Sequence, residues 1–377
     1  MSGAIFSNDV GAIVVDIGSH STKAGWGGQD RPEIDIPTVL GHRAQKKFNF
    51  ADVKYPNYLC GVNHVNAQIE EMEIVSPIKN GAVIDWTAFE ALLNHVFSYE
   101  LRILPDEHPV MLVELPLTQG THRETISEIM FEKFCVSGFY SANPAVLATF
   151  SHCKSSGLVI DAGHTLTSIV PVVDGFALKR NSFHLPLAGG FLAEKSRQLL
   201  KKLNIDMTPR YLISKKEITQ ENQLPIFSKR TQPQSDYSYH LTPMYYEFPN
   251  GYYGRFEDER YIIPEQLFNP NSHEDPTLSS LELHKLILKC IILNNIITVG
   301  GTSTLTGYSE RIQHSISNAL PPNFKHRFIS TSYPSDRRFC AWTGGSILSS
   351  MGTFHQNWVS KTEYMEVGKR IIDLKCQ

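Results

Sequence analysis

Residues Val10 to Lys23 read V-G-A-I-V-V-D-I-G-S-H-S-T-K, and the reading of this stretch decides the fold. The apolar, β-rich run from Ala12 to Val15 predicts a buried strand that ends in Asp16 and a tight Gly18-Ser19 turn. A strand that stops at an acid and a glycine presents both at its end. Gly18 can take positive φ and let backbone N–H groups approach an anion closely. Ser19 adds a hydroxyl donor, Lys23 a point charge, and Asp16 can hold a hydrated cation. The set suits a triphosphate with its magnesium. Taken singly, an Asp-x-Gly turn after a hydrophobic strand is more often an ordinary hairpin.

The chain repeats the device. Leu158 to Thr167 read L-V-I-D-A-G-H-T-L-T: an apolar strand, Asp161, Gly163 and a hydroxyl-bearing return strand. Two such hairpins about one domain length apart predict duplicated halves whose phosphate loops face each other across a cleft. Ile296 to Thr302 adds a third close approach, a strand running into Gly300-Gly301-Thr302 ahead of a helical stretch from Glu310 to Leu320. Alone, that Gly-Gly pair would be no more than a tight turn.

Composition sets the outer bounds. The 377 residues are 41% hydrophobic and 19% charged, enough for two or three globular domains with ample core. With 35 basic against 38 acidic residues, no global footprint for nucleic acid exists. The six cysteines form no Cys-x-x-Cys pair and no zinc spacing with a histidine, and read as reduced thiols of an intracellular protein. The N-terminus shows no basic leader before an apolar core. The greasiest stretch, Leu283 to Val299, is broken by Lys285, Lys289, Asn294 and Asn295 and is too polar to span a bilayer.

Further along the chain, Asp85 reads as the N-cap of a helix carrying Phe89, Leu92, Leu93 and Val96 on one face. Thr121 and Glu124 have capping-box spacing ahead of a second helix to Phe134. Pro144 suits the first turn of a short helix from Asn143 to Phe150, and Leu187 to Gly190 lead into a helix through Lys202. His42 to Tyr58 reads as a solvated surface loop, with Arg43 to Lys54 the one candidate basic patch. Ile218 to Thr242 reads as a long loop or inserted subdomain. Asn250-Gly251 between aromatic runs predicts a hairpin whose tyrosines pack within the strands rather than stack on bases. The small residues of Trp342 to Leu348 predict a helix that packs closely on a neighbour.

With these motifs in order, the chain resembles actin and the actin-related proteins from end to end. The matching stretches are D-I-G-S (Asp16 to Ser19), K-A-G (Lys23 to Gly25), E-H-P-V (Glu107 to Val110) and I-M-F-E (Ile129 to Glu132). G-L-V-I-D-A-G (Gly157 to Gly163), V-G-G-T (Val299 to Thr302), G-G-S-I-L (Gly344 to Leu348) and T-F-H-Q-N-W-V-S-K (Thr353 to Lys361) continue the series. The resemblance implies the α/β actin fold: two duplicated RNase H-like domains with ATP or ADP and Mg2+ or Ca2+ in the cleft between them. It implies a first domain of residues 1–151 completed by 344–377, and a second of 152–343 with a subdomain inserted around 188–268. Asp16, Gly18, Ser19 and Lys23 match the first phosphate loop, Asp161 and Gly163 the second, and Gly300, Gly301 and Thr302 the strand-helix turn near the nucleotide. Asp16 and Asp161 would reach the cation through water.

The departures from actin carry the functional expectation. Pro144 stands where actin has the glutamine that positions the attacking water, and proline offers no side-chain hydrogen bond. His164 replaces an acid, and His20 and Thr165 replace glycines beside the phosphates. Positioning and electrostatics are nearly all of phosphoryl-transfer catalysis, so losing the water-orienting group costs several powers of ten in rate. His42 to Tyr58 does not resemble the apolar loop with which actin grips the next subunit, and Phe268 to Val299 looks shortened.

Other stretches look closest to the nuclear class-four actin-related proteins, subunits of SWI/SNF-type chromatin remodellers and related histone acetyltransferase complexes. These are V-S-P-I-K-N-G (Val75 to Gly81), I-S-K-K-E (Ile213 to Glu217) and Y-E-F-P-N-G-Y (Tyr246 to Tyr252). That resemblance implies a nuclear scaffold with little or no turnover and no catalytic residue. Its implied partners are a helical segment of the remodelling ATPase, actin or another actin-related protein, and other chromatin-complex subunits, with no nucleic acid or membrane. The alternative is a divergent cytoskeletal ATPase that polymerises. A sugar kinase or chaperone ATPase, which share the duplicated hairpins, fits the end-to-end motifs less well.

Overall fold

The computed structural model describes residues 11–43, 54–118, 120–205, 207–213, 244–270, 283–290, 295–321 and 323–376. The I-V-V-D-I stretch forms β1 (Ile13–Ile17), which turns back antiparallel into β2 (Ser21–Trp26) with Asp16 opposite Lys23. The strand β3 (Ile34–Pro37) extends the hairpin. On the other side of β1 lie β4 (Pro109–Val113) and β5 (Gly138–Ala142), both parallel to it, and the short strand Val359–Ser360 closes that edge.

Alternation along β1 fills two cores. Ile13, Val15 and Ile17 pack with Phe89, Leu92 and Leu93 of helix α1 (Trp86–His95). Ala12 and Val14 face the opposite way, against Met111, Trp342 and Trp358. The sheet mixes parallel pairing at its centre with antiparallel pairing at its edges, and both of its faces are covered. Helix α1 starts as the sequence predicts, with the Asp85 carboxylate accepting the Ala88 N–H at 3.0 Å. The Thr121 cap is corrected: that helix runs Gly120–Glu128, so Thr121 lies inside it, and a cap residue must keep non-helical backbone.

The second sheet repeats the plan. The strand β6 (Gly157–Ala162) turns into the antiparallel β7 (Thr167–Val173), while β8 (Asn295–Val299) and β9 (Arg327–Ile329) follow in parallel on the other side of β6. Leu158, Ile160 and Ala162 pack against Leu286 and Ile287 of helix Leu283–Cys290 and Ile312 and Ile316 of helix Tyr308–Ala319. Val159 faces the other core, with Val172 and Ile297.

Two helices join the halves. One, α2 (Pro144–Ser151), lies against β6, β7 and β8; the other, α3 (Pro334–Ser350), lies against α2, β1, β4 and β8. A Cβ on Gly344 would stand 1.9 Å from the Leu147 carbonyl oxygen, and one on Gly345 would stand 2.9 Å from Val14 Cγ1. This is the close helix packing that the small-residue run predicts. Trp342 is fully buried and donates its indole N–H to the Val14 carbonyl at 3.0 Å. The C-terminal segment is tied to the first sheet by Arg123, which bonds Glu114 at 2.7 Å, Asp373 at 3.0 Å and the Cys376 carbonyl at 2.6 Å.

Two further expectations change. The Asn250-Gly251 hairpin forms between strands Met244–Glu247 and Tyr253–Phe256, with Gly251 at φ 92°. Its Tyr245, Tyr246 and Tyr253, however, are exposed rather than packed. A two-stranded ribbon has one small core, and Phe248, Tyr252 and Phe256 take it, against Leu200 and Ile205. The expected basic patch is broken at its start, because Arg43 is buried, and Lys54 lies over the rings of Tyr55 and Phe134. Residues 44–53, the whole of Ile218 to Thr242 and much of Phe268 to Val299 lie outside the described residues. All six cysteines are free thiols, four of them buried.

Candidate functional site

A cavity of about 350 Å³ opens between the tips of the β1–β2 and β6–β7 hairpins. Asp16, Gly18, Ser19 and Lys23 line it from the first half, and Asp161 and Gly163 from the second. Gly300, Gly301 and Thr302 line it from the turn after β8. All nine residues singled out from the sequence therefore meet in one place.

The two tips share one construction. The Gly18 N–H donates to the Ser21 carbonyl at 3.1 Å, and the Gly163 N–H donates to the Leu166 carbonyl at 3.0 Å. The Gly18 carbonyl accepts the Thr38 hydroxyl at 2.6 Å, and the Gly163 carbonyl accepts the Thr302 hydroxyl at 2.6 Å. These bonds correct the reading of Gly18. Gly18 does not have positive φ, and its N–H is used within its own turn; glycine is favoured there because a Cβ would sit a tight 3.0 Å from the Ser21 oxygen. The Thr302 hydroxyl braces the second loop. The glycine that requires positive φ is Gly300 (φ 91°), where a Cβ would stand 2.4 Å from both Asp161 Oδ1 and the Ala162 oxygen. Around a Gly301 Cβ there would be open space.

Opposite charges meet within the cleft. Lys23 Nζ lies 3.0 Å from Asp16 Oδ2, both side chains largely buried. Asp161 sits deep in the same cleft, and burial, with the nearby Asp16 carboxylate, pushes it up to about 6, with Lys23 opposing. Two carboxylates thus share one ammonium. Among the described residues no group of three or more His, Cys, Asp or Glu is placed to hold a metal. Asp16 and Asp161 both line the cleft, and a carboxylate pair of this kind suits a cation that keeps most of its water shell, as Mg2+ does.

At the mouth the tips touch. The Thr165 hydroxyl donates to Ser19 Oγ at 3.0 Å, and the rings of His20 and His164 lie 5.2 Å apart, tilted by 59°. Both imidazoles are held below the usual histidine range. For His20 the causes are burial and then the cationic Arg338 and Lys23, with Asp35 opposing; for His164 they are burial and then His20. Arg338 bonds Asp35 at 2.7 Å and Ser21 at 3.2 Å, and Arg337 reaches the Ser303 carbonyl at 2.7 Å while its own carbonyl accepts the Gly300 N–H at 2.9 Å. Pro144 forms part of the wall at the start of α2. Sequence reasoning missed Thr38, Arg337 and Arg338. Thr38 had one faint signal, a hydroxyl a short distance after a phosphate-loop motif; the arginines had none.

The donor set fits a polyphosphate with a hydrated divalent cation. Lys23, Ser19 and the two histidines offer donors to an anion, the Asp16 and Asp161 carboxylates offer acceptors to a cation's water shell, and Gly301 leaves room. Such a group would supply an anhydride bond whose cleavage requires an oriented water, and Pro144 has no side-chain group to orient one.

Fold and site together define a duplicated two-sheet protein with a ligand cleft between matching hairpins. The actin family model matches residues 7–245 and 240–377, and the chain belongs to the actin family. It is similar to Actin-related protein 4 of Arabidopsis thaliana, 30% identical over 440 aligned positions that cover 98% of this chain and 99% of the relative. It is also similar to Actin-related protein 4 of Oryza sativa subsp. indica and subsp. japonica, each 28% identical with the same coverage. Among the described residues no helix is long and apolar enough to cross a membrane.

Proposed function

We propose that this chain is a nuclear actin-related scaffold subunit of chromatin complexes that binds ATP or ADP with Mg2+ or Ca2+ in its cleft and turns it over slowly or not at all. Full-length similarity to proteins named Actin-related protein 4, together with the class-four stretches Val75 to Gly81 and Tyr246 to Tyr252, supports the assignment. The observation that carries the scaffold reading is Pro144. It lines the cleft at the place where actin presents a water-orienting glutamine. The nine loop residues are the proposed nucleotide contacts, with Asp16 and Asp161 reaching the cation through water. Nucleotide stabilises the closed cleft by mass action, since only the folded state binds it. The protein docks on a helix of a remodelling ATPase, beside actin or another actin-related protein, in SWI/SNF-type and histone acetyltransferase complexes. Residues 1–151 with 344–377 act as one domain and 152–343 as the other.

The test is to tag the protein at its natural level, purify it gently and identify stoichiometric partners. Recovery of a remodelling ATPase with actin and accessory chromatin subunits is the expected result. Self-assembly into polymer with no nuclear partner, and ATP turnover at the rate of filament-forming actin, would overturn the scaffold reading in favour of a polymerising ATPase.

A further inference from the structure

Among the described residues the imidazoles of His20 and His164 make no hydrogen bond, yet they face each other across the mouth of the cleft at a ring separation of 5.2 Å. The residues next to them in the chain, Ser19 and Thr165, bond across the same gap at 3.0 Å. The surroundings of this pair are positive. Arg338 from α3 and Lys23 from β2 act on His20, with Asp35 from β3 the one opposing acid, and that acid is already bonded to Arg338 at 2.7 Å. His164 faces His20 and the start of helix Gly189–Lys202, where a Cβ on Gly190 would meet its Nε2 at 3.4 Å. The N-terminus of a 14-residue helix adds partial positive charge there. Two imidazoles in this setting stay neutral for want of an anion, and an anion between them would favour the charged form of both.

We propose that His20 and His164 form a two-sided clamp on the polyphosphate, one imidazole from each half of the molecule, and that anion binding is coupled to proton uptake on this pair. The inference rests on the cleft's being a nucleotide site. It goes further by making affinity for the anion a function of pH. Each neutral imidazole can donate one hydrogen bond to a phosphate oxygen, and each imidazolium donates two with a full charge. By linkage, affinity then rises as pH falls through the window between the free and bound titrations.

The test is isothermal titration calorimetry of the full chain with magnesium-saturated ATP, in pairs of buffers of different ionisation heat. Wild type is compared with the His20→Asn/His164→Asn double variant. The ligand's own titration is common to both proteins and cancels in the difference. From about pH 8 to about pH 6, wild-type affinity should rise roughly tenfold or more beyond that of the variant, with up to about two more protons taken up than by the variant, in which only Asp161 and the ligand, common to both proteins, still titrate. A wild-type profile that superimposes on the variant's overturns the clamp and leaves the nucleotide site standing. No binding to either protein at any pH overturns both.

If the variant fails to fold, the wild type alone decides. Imidazole C–H resonances followed by NMR with inorganic tripolyphosphate should show both histidines titrating at higher pH with the anion than without it. Unmoved titrations overturn the proposal.

Discussion

Asp16 and Asp161 occupy the same position in two copies of one hairpin, but only Asp16 has a counter-charge across the turn. Each is the penultimate residue of its leading strand, and each lies opposite a valine of the parallel neighbour, Val113 or Val299. Across the antiparallel turn, Asp16 meets Lys23 whereas Asp161 meets Ser168. The duplication was kept in the backbone and broken in the charge, and Asp161 is left in the cleft with its carboxyl raised to about 6.

That asymmetry predicts a pH dependence of stability. A carboxyl whose folded pKa lies above its unfolded value binds more protons in the folded state. Its unfavourable contribution is therefore absent below about pH 4 and complete above about pH 6. The Asp161→Asn variant should gain on wild type across that window, reaching on the order of 3 kcal/mol near neutral pH. Urea denaturation of the ligand-free proteins at several pH values checks it; a difference that does not change with pH would mean that Asp161 is not raised. Addition of Mg2+ with ATP should stabilise wild type more than the variant.

The two threonines that brace the loop tips should differ in importance although their bonds are equally short. The Gly163 carbonyl keeps the Gly189 N–H at 3.1 Å when Thr302 is removed. Gly18 has no other donor to its carbonyl among the described residues, and Thr38 also bonds Thr22 at 2.9 Å. Thr38→Val should thus cost about 2–3 kcal/mol and Thr302→Val about 1 kcal/mol. Thermal unfolding of the two variants orders them, and equal losses would refute the argument from the spare donor.

Gly344→Ala should be among the most damaging single substitutions in the chain. Its Cβ would fall 1.9 Å from the Leu147 carbonyl oxygen, which belongs to helix backbone and cannot swing aside, so the two helices must separate. A loss of at least about 3 kcal/mol follows, against little change or a gain of up to about 1 kcal/mol for Gly352→Ala, whose Cβ would meet nothing within 4 Å. Denaturant midpoints measured side by side decide the point.

The parts of the fold legible in sequence are those that local rules specify. Apolar runs ending at Asp16 and Asp161 gave both hairpins, Asp85 and Asn143 gave helix starts, and the G-G-S run at Gly344 gave a close helix contact. What escaped depends on distance in the chain. Arg338 reaches Ser21 and Asp35 from about three hundred residues away, and no spacing rule links them. The conformation of Gly18 was misread for a related reason: the close approach of the Ser21 oxygen, not positive φ, is what calls for glycine there. The exposed tyrosines of the 244–256 ribbon show that strand pattern says which residues alternate, not whether a second layer arrives to cover them.

Pro144 offers the sharpest test of the scaffold reading. It is the first residue of α2, where proline is well suited because its missing N–H would have no helical partner, and Asn143 caps the turn through the Ala145 N–H at 3.0 Å. Replacement by glutamine therefore costs little in folding, and it places an amide at the cleft wall where none exists. Single-turnover hydrolysis of ATP by wild type should be slow, and Pro144→Gln should raise it by roughly tenfold or more if orientation of water is the missing element. The gain should fall short of full recovery, because His164 and Thr165 still alter the second loop. A Pro144→Gln protein that binds ATP as wild type does but gains no turnover would place the block in the His20–His164 and Ser19–Thr165 contacts across the mouth, and the His164→Asp/Pro144→Gln double variant would then be the one expected to recover it.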